Sequence, residues 1–191
     1  MIYRISRLHD EAKFEMRVLS KLDGSSCSGS LNPQDYSSLF EEVDVDRADV
    51  HLYIAPLIPN WKDKYDLEIE SPPVSVSLLP DFIFLGRTFV SKKMKEVIEN
   101  TDDFGHQFTP SILRFSNGDK LEDFYYQLSV RRLLKEDSLV EDDYDGLLLW
   151  RMLNDNIVDN YSVYIDSVLF DSFSESELKT IWANSDFRVL P

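Results

Sequence analysis

Ser91-Lys92-Lys93-Met94-Lys95-Glu96-Val97-Ile98-Glu99, followed by Phe108 to Phe115, Asn117-Gly118 and Phe124 to Val130, is where two periodicities meet in this chain. A serine hydroxyl can accept an orphaned N–H of a helix's first turn, so Ser91 predicts a helix start. Met94, Val97 and Ile98 then recur at the three–four spacing of one apolar face. Lys92, Lys93, Lys95, Glu96 and Glu99 fall on the solvent side. The pattern runs out at Asn100-Thr101-Asp102-Asp103. Beyond it, Phe108–Phe115 and Phe124–Val130 read as two antiparallel strands around the Asn117-Gly118 turn signal. Period two places Phe124, Tyr126, Leu128 and Val130 on one face of the second strand.

Further out the signals weaken. Ile2 to Arg7 and Phe14 to Leu19 read as short strands or one ragged hairpin, and Val50 to Ala55 as a strand ended by Pro56. Asn32-Pro33 opens a short helix through Phe40, because proline suits the first helical position. Val74, Val76 and Leu78 alternate with Ser75 and Ser77, the period of a half-buried strand. Leu147 to Leu153 fits either a buried strand or a short helix. Ser162 to Leu169 reads as a strand. Ser174 with Glu177 has the spacing of a capping box, which predicts a helix burying Leu178, Ile181 and Trp182. Phe187 to Leu190 would close the fold as a strand. Strands and helices mix without a regular alternation. The expected class is therefore α+β, a mixed or mainly antiparallel sheet with a few short packed helices. The expected organisation is a single domain over 1–191, with 1–80 and 81–191 as candidate N-terminal subregion and core.

Composition narrows the function. Of 191 residues 43% are hydrophobic and 13% aromatic, enough apolar surface for a packed core. No run of about 18 apolar residues is present to cross a bilayer. The N-terminal residues Met1 to Arg7 lack the apolar run of about 7–15 residues that a signal peptide carries. Cys27 is the single cysteine, so no intramolecular disulfide forms. A single cysteine fits a reducing compartment. The net charge is −15, and the last 56 residues, with three Lys/Arg against thirteen Asp/Glu, hold −10 of it. Such a chain repels nucleic-acid phosphates and anionic lipid and attracts basic protein surfaces.

Residue patterns for catalysis or metal binding do not emerge. His9, His51 and His106 stand at no metal spacing with each other or with Cys27. His51 falls in a strand, a structural position, and His106 is expected to bond nearby backbone. Cys27 has no cationic sequence neighbour to activate its thiol. No Gly-rich phosphate loop or nucleophile elbow is present. Glu141-Asp142-Asp143-Tyr144-Asp145-Gly146 resembles half a calcium loop. Position twelve, where a bidentate Glu belongs, is Met152 counted from Glu141 and Asn154 counted from Asp143. We therefore expect no catalytic residue, no metal site and no cofactor.

Three quoted segments carry a family resemblance: Pro80-Asp81-Phe82-Ile83, Phe89-Val90-Ser91-Lys92-Lys93-Met94-Lys95, and His106-Gln107-Phe108-Thr109-Pro110. Together they resemble a module of immunity proteins from bacterial polymorphic-toxin systems. Tyr125-Tyr126-Gln127-Leu128-Ser129-Val130 is similar to that family's following aromatic strand. The family usually has Glu where this chain has Lys92, and the second helix-start motif of many members is missing. The resemblance implies a cytoplasmic protein that is not an enzyme and that binds a cognate toxin domain with a basic cleft. Charge density then nominates Glu141, Asp142, Asp143, Asp145, Asp155 and Asp159 as partner-binding residues, with Tyr144 and Trp150 as candidate aromatic anchors, although Trp150 fits the core better, and Asp44, Asp46 and Asp49 as a second acidic cluster. No nucleic-acid or membrane partner is expected. The competing readings are a non-catalytic acidic adaptor or structural interaction module, and an enzyme assembled from dispersed carboxylates.

Overall fold

Ser91 caps the helix as its sequence predicts. In the computed structural model its backbone is extended and its Oγ accepts the Met94 N–H at 3.1 Å. The helix, α1, spans Lys92–Thr101; Met94 and Ile98 are buried, while Lys92, Lys93, Glu96 and Glu99 are exposed. It ends at Asp102, whose N–H still reaches the Ile98 carbonyl at 2.7 Å. The structure describes residues 2–6, 15–20, 41–43, 52–54, 65–71, 76, 79–84, 87–135, 147–154, 157–158, 162–178 and 188–189. The expected helix at 33–40, Cys27, His9 and His51 lie outside them.

The strands assemble into two sheets. The first runs in the order β2 (Glu15–Ser20), β5 (Tyr65–Ser71), β8 (Gln107–Phe115), β9 (Lys120–Ser129), β7 (Thr88–Ser91), β6 (Phe82–Phe84). The second runs β14 (Arg188–Val189), β1 (Ile2–Ser6), β13 (Ser162–Asp166), β11 (Leu149–Asn154), β10 (Arg132–Lys135), β4 (Leu52–Ile54), β3 (Glu41–Val43), with β12 (Ile157–Val158) also on β11. The β5–β8 and β10–β11 pairs are parallel and the other described pairs antiparallel, so the fold is α+β as read. The 147–153 ambiguity resolves to strand, and the closing strand forms. The ragged-hairpin alternative does not: β1 pairs with β13 and β14, whereas β2 pairs with β5 in the other sheet.

The predicted hairpin is present as β8–β9. Gly118 takes φ +92°, the left-handed conformation that favours glycine, and donates its N–H to the Phe115 carbonyl at 2.9 Å. One face assignment changes. Ser111 pairs with Tyr125 but Leu113 with Leu121, so β9 carries two extra residues in a bulge. Asp123 sits there at φ 56°, a conformation Asp tolerates better than most side chains. The bulge breaks the period of two. Phe124 joins Tyr125 on one face, and Tyr126 and Leu128 pack on the other.

Two predicted elements move. Val76 lies in a 3-10 turn with its side chain 45% exposed, and its carbonyl accepts the Leu79 N–H at 3.1 Å. Where it is described, the 74–79 segment is thus not a strand. The 162–169 strand stops at Asp166, whose Oδ1 caps a helix by accepting the Leu169 N–H at 2.9 Å. That helix, α2, spans Ser167–Glu175 and buries Leu169 and Phe173.

Ser174 therefore ends a helix and does not begin one. Its backbone carbonyl accepts the Glu177 N–H at 2.9 Å, and the Phe173 carbonyl accepts the Leu178 N–H at 3.2 Å. These two bonds, with Phe173 and Leu178 buried together, make a Schellman C-cap. Its left-handed residue is Glu177 at φ 50°, where glycine is usual. Glu177→Gly should stabilise the fold by about 0.5–1 kcal/mol, read as a rise in denaturant midpoint at unchanged slope. An unchanged or lower midpoint would show that Glu177 is not strained there.

α1 rests on β7 and β9, α2 on β13 and β1, and the helices touch. Beneath them Phe82, Phe84, Val90 and Leu128 from one sheet meet Leu149, Val163 and Ile165 from the other in one buried cluster. The alternate residues Ile83, Phe89, Leu113 and Tyr125 face a second cluster with Tyr65, Leu67 and Ile69. Both faces of β6 and β7 are therefore buried, which is why 82–84 and 88–91 read as apolar or small at nearly every position.

Candidate functional site

The segments that carry the family resemblance converge at the two ends of α1. At its N-terminus, Ser91 Oγ donates to Asp81 Oδ1 at 2.6 Å while accepting the Met94 N–H, and the Ser91 N–H reaches the Asp81 carbonyl at 2.8 Å. Tyr125 OH donates to the Pro80 carbonyl at 2.5 Å. One serine thus caps the helix and clamps the start of β6 to it. Ser91 and Asp81 are both buried, so each would cost stability if left unpaired.

Lys92 puts a cation at the positive end of the helix dipole, an unfavourable place. Asp123 offsets it: Lys92 Nζ lies 2.5 Å from Asp123 Oδ2. Asp123 also accepts the Tyr126 hydroxyl, and these two bonds hold its carboxyl below the usual range. The bulge in β9 is what aims Asp123 at the helix. Between these groups lies a groove of about 440 Å³, bordered by Val76, Leu79, Lys93, Glu96, Phe124 and Glu177.

At the C-terminal end of α1 a buried polar cluster forms. Arg132 donates Nη1 to Asp102 Oδ2 at 3.0 Å and Nη2 to Oδ1 at 3.3 Å. His106 Nε2 lies 3.2 Å from the same Oδ2, and His106 Nδ1 accepts the Arg131 N–H at 3.1 Å. Asp102 Oδ1 also takes the Phe104 N–H at 3.1 Å, and the Arg132 guanidinium stacks 4.1 Å over the Phe104 ring. Burial alone would raise the Asp102 carboxyl. The His106 hydrogen bond and the Arg132 charge outweigh it, and the net shift is downward. Burial lowers His106, against the pull of Asp102 and with the help of Arg132 and Arg131. A His–Asp pair invites a catalytic reading. Here the imidazole has its second nitrogen committed to backbone and its side chain 1% exposed, so it cannot take a proton from a substrate. The cluster is structural, and His106 does bond backbone, although the donor is Arg131, 25 positions along the chain, and not the adjoining loop.

The candidate partner-binding residues Glu141, Asp142, Asp143, Tyr144, Asp145, Asp155 and Asp159 lie outside the described residues, as do Asp44, Asp46 and Asp49. Trp150 is fully buried and stacks on Tyr164 with centroids 6.1 Å apart, which removes it as a surface anchor. On the described surface the exposed carboxylates are Glu96, Glu99, Asp103, Asp119, Glu122, Asp123, Asp171, Glu175 and Glu177, against the exposed lysines Lys92, Lys93 and Lys120. The acidic surplus therefore reaches the outer side of α2 and its C-cap, whereas the exposed lysines and glutamates of α1 balance. Among the described residues no group of three His, Cys, Asp or Glu side chains is placed to hold a metal ion, and no helix is long and apolar enough to cross a membrane.

A family model described as an immunity protein family, Imm11, matches residues 39–143, more than half of the chain. The chain belongs to this immunity protein family. No curated protein and no solved structure is significantly similar to it. The segment matched to the Imm11 family holds α1, the β8–β9 hairpin and both ends of the polar scaffold around them. It reaches Glu141, Asp142 and Asp143, and stops before Tyr144, Asp145, Asp155 and Asp159. Sequence reasoning missed Asp102 and Arg132 as partners. Asp102 reads only as part of the polar run that ends α1, and Arg132 only as a charge between strands. The one usable signal was a cation inside the apolar context Val130 to Leu134, since a charge there needs a counter-ion.

Proposed function

We propose that this chain is an immunity protein that binds a cognate bacterial toxin effector domain and neutralises it by blocking its active site. Membership of the Imm11 family carries the proposal. The net charge of −15 supports it, because an acidic surface is drawn to the basic cleft of an enzyme that handles phosphates. The chain acts by binding in the cytoplasm, without cofactor and without catalysis. Residues 1–191 act as one unit; strands from the first 80 residues enter both sheets, which supports this.

Glu141, Asp142, Asp143 and Asp145, with Asp155 and Asp159, supply the charge that meets the toxin, and Tyr144 an aromatic anchor. Co-expression with the toxin domain encoded beside it should rescue growth, and the two proteins should co-purify. Failure of both with a folded immunity chain would remove the reading. Within that complex, changing Asp142, Asp143 and Asp145 together to Lys should slow association by about tenfold or more at low salt, because rim charges act mainly on encounter. Association rates equal to wild type at low salt would exclude this acidic segment from the interface.

A further inference from the structure

We propose that the Asp102–His106–Arg132 cluster is an acid-sensitive latch that fastens α1 and the β8–β9 hairpin to the eight-stranded sheet. The chain leaves the six-stranded sheet at Ser129 and enters the other at Arg132, with only Val130 and Arg131 between. The cluster bolts that crossover in place. Asp102 comes from the end of α1 and His106 from the entrance to β8. Arg132 opens β10, and its Nη1 also reaches the Leu149 carbonyl at the start of β11 at 3.4 Å. Arg131 Nη1 donates to the Gly105 carbonyl at 2.8 Å.

The geometry works only with a neutral imidazole. Nδ1 accepts a backbone N–H, so it carries no proton; the single ring proton sits on Nε2, towards Asp102. A second proton would have to go on Nδ1, where it would point at the Arg131 N–H, donor against donor. The ring must then turn away, leaving a buried amide without an acceptor and loosening Asp102. The charged groups around the ring divide. Asp102 favours protonation. Asp166 at the head of α2 lies within electrostatic reach of Asp102. Arg131 and Arg132 oppose protonation, and Phe104, 5.2 Å away, brings no charge. Burial is the largest influence and also opposes it, so the net direction is downward.

The sign follows. A histidine whose folded pKa lies below its unfolded value of about 6.5 binds fewer protons folded than unfolded between the two values. Its contribution is complete above about pH 6.5 and is lost as pH falls towards the folded pKa. The latch is closed near neutrality and opens in mild acid.

The test is an NMR titration of the full wild-type chain from pH 8 to pH 4.5. It follows the His106 ring nitrogens and the exchange of the Arg131 amide, corrected for the intrinsic pH dependence of exchange. We expect His106 to hold the Nε2–H tautomer at neutral pH and to titrate below its ordinary value. Protection of the Arg131 amide should fall about tenfold per pH unit from about pH 6.5 down to the pH at which His106 titrates, while central β8–β9 amides keep theirs. His106 titrating at or above about 6.5, or constant Arg131 protection over that window, would overturn the proposal. In His106→Gln, which cannot titrate, the pH step at Arg131 should vanish; a step that persists would also overturn it. The wild-type measurement stands alone if that variant does not fold.

Discussion

Asp102→Ala lowers the stability of the fold by about 3–5 kcal/mol, the largest single-site loss expected outside the apolar core. The reason is what the substitution leaves behind. Arg132 stays buried with its charge facing the Leu149 carbonyl and the Phe104 ring, neither of which neutralises it. His106 loses the acceptor for Nε2, and Phe104 loses the acceptor for its backbone N–H. Chemical denaturation at pH 7 reads the loss directly. Asp102→Asn, which keeps the shape and one acceptor, should cost less. Adding Arg132→Met to Asp102→Ala should restore part of the loss, because an apolar pair is tolerated where a lone buried charge is not. A loss below about 1 kcal/mol for Asp102→Ala would mean that water already satisfies the cluster. The carboxyl also has its own pH signature. Its folded pKa lies below the unfolded value, so its contribution is present above about pH 4 and disappears as pH falls through the folded pKa. The His106 and Asp102 effects therefore occupy successive windows on acidification.

Phe173→Ala is expected to cost about 3–5 kcal/mol by transfer and cavity contributions together. Its ring is fully buried where the two helices meet the faces of both sheets. It packs in the same cluster as Leu178, and its carbonyl is one of the two acceptors in the C-cap of α2. Removing the ring should loosen the end of α2 as well as the cluster, so amide exchange at Leu178 should accelerate. Val168→Ala on the same helix supplies the contrast. That side chain is 55% exposed, and its truncation should change stability by no more than about 0.5 kcal/mol. Similar losses at both positions would show that α2 does not bury the face described.

These two sites also show where reading from sequence stops. The α1 boundary was legible because each signal is local: Ser91 and Met94 are three residues apart, and so is the bond they make. The β8–β9 hairpin was legible for the same reason, since its turn and its alternation lie within one stretch of chain. Ser174 and Glu177 misled because an N-terminal capping pattern and the end of an amphipathic helix can share the same residue types. Only the burial of Phe173 and Leu178 against the sheets distinguishes them.

By itself, the sequence determined the helix from Ser91, the hairpin after it, the α+β class, the acidic surplus and the resemblance to immunity proteins. All of these depend on residues within about one turn or one strand of each other, or on composition. Tertiary structure alone decided that β1 and β2 part into different sheets, that Phe124 changes face at the Asp123 bulge, and that Asp102 meets Arg132 thirty positions later. Strand pairing and buried ion pairs join residues far apart in the chain. Their energy depends on desolvation and geometry, which exist only once the sheets have closed over them.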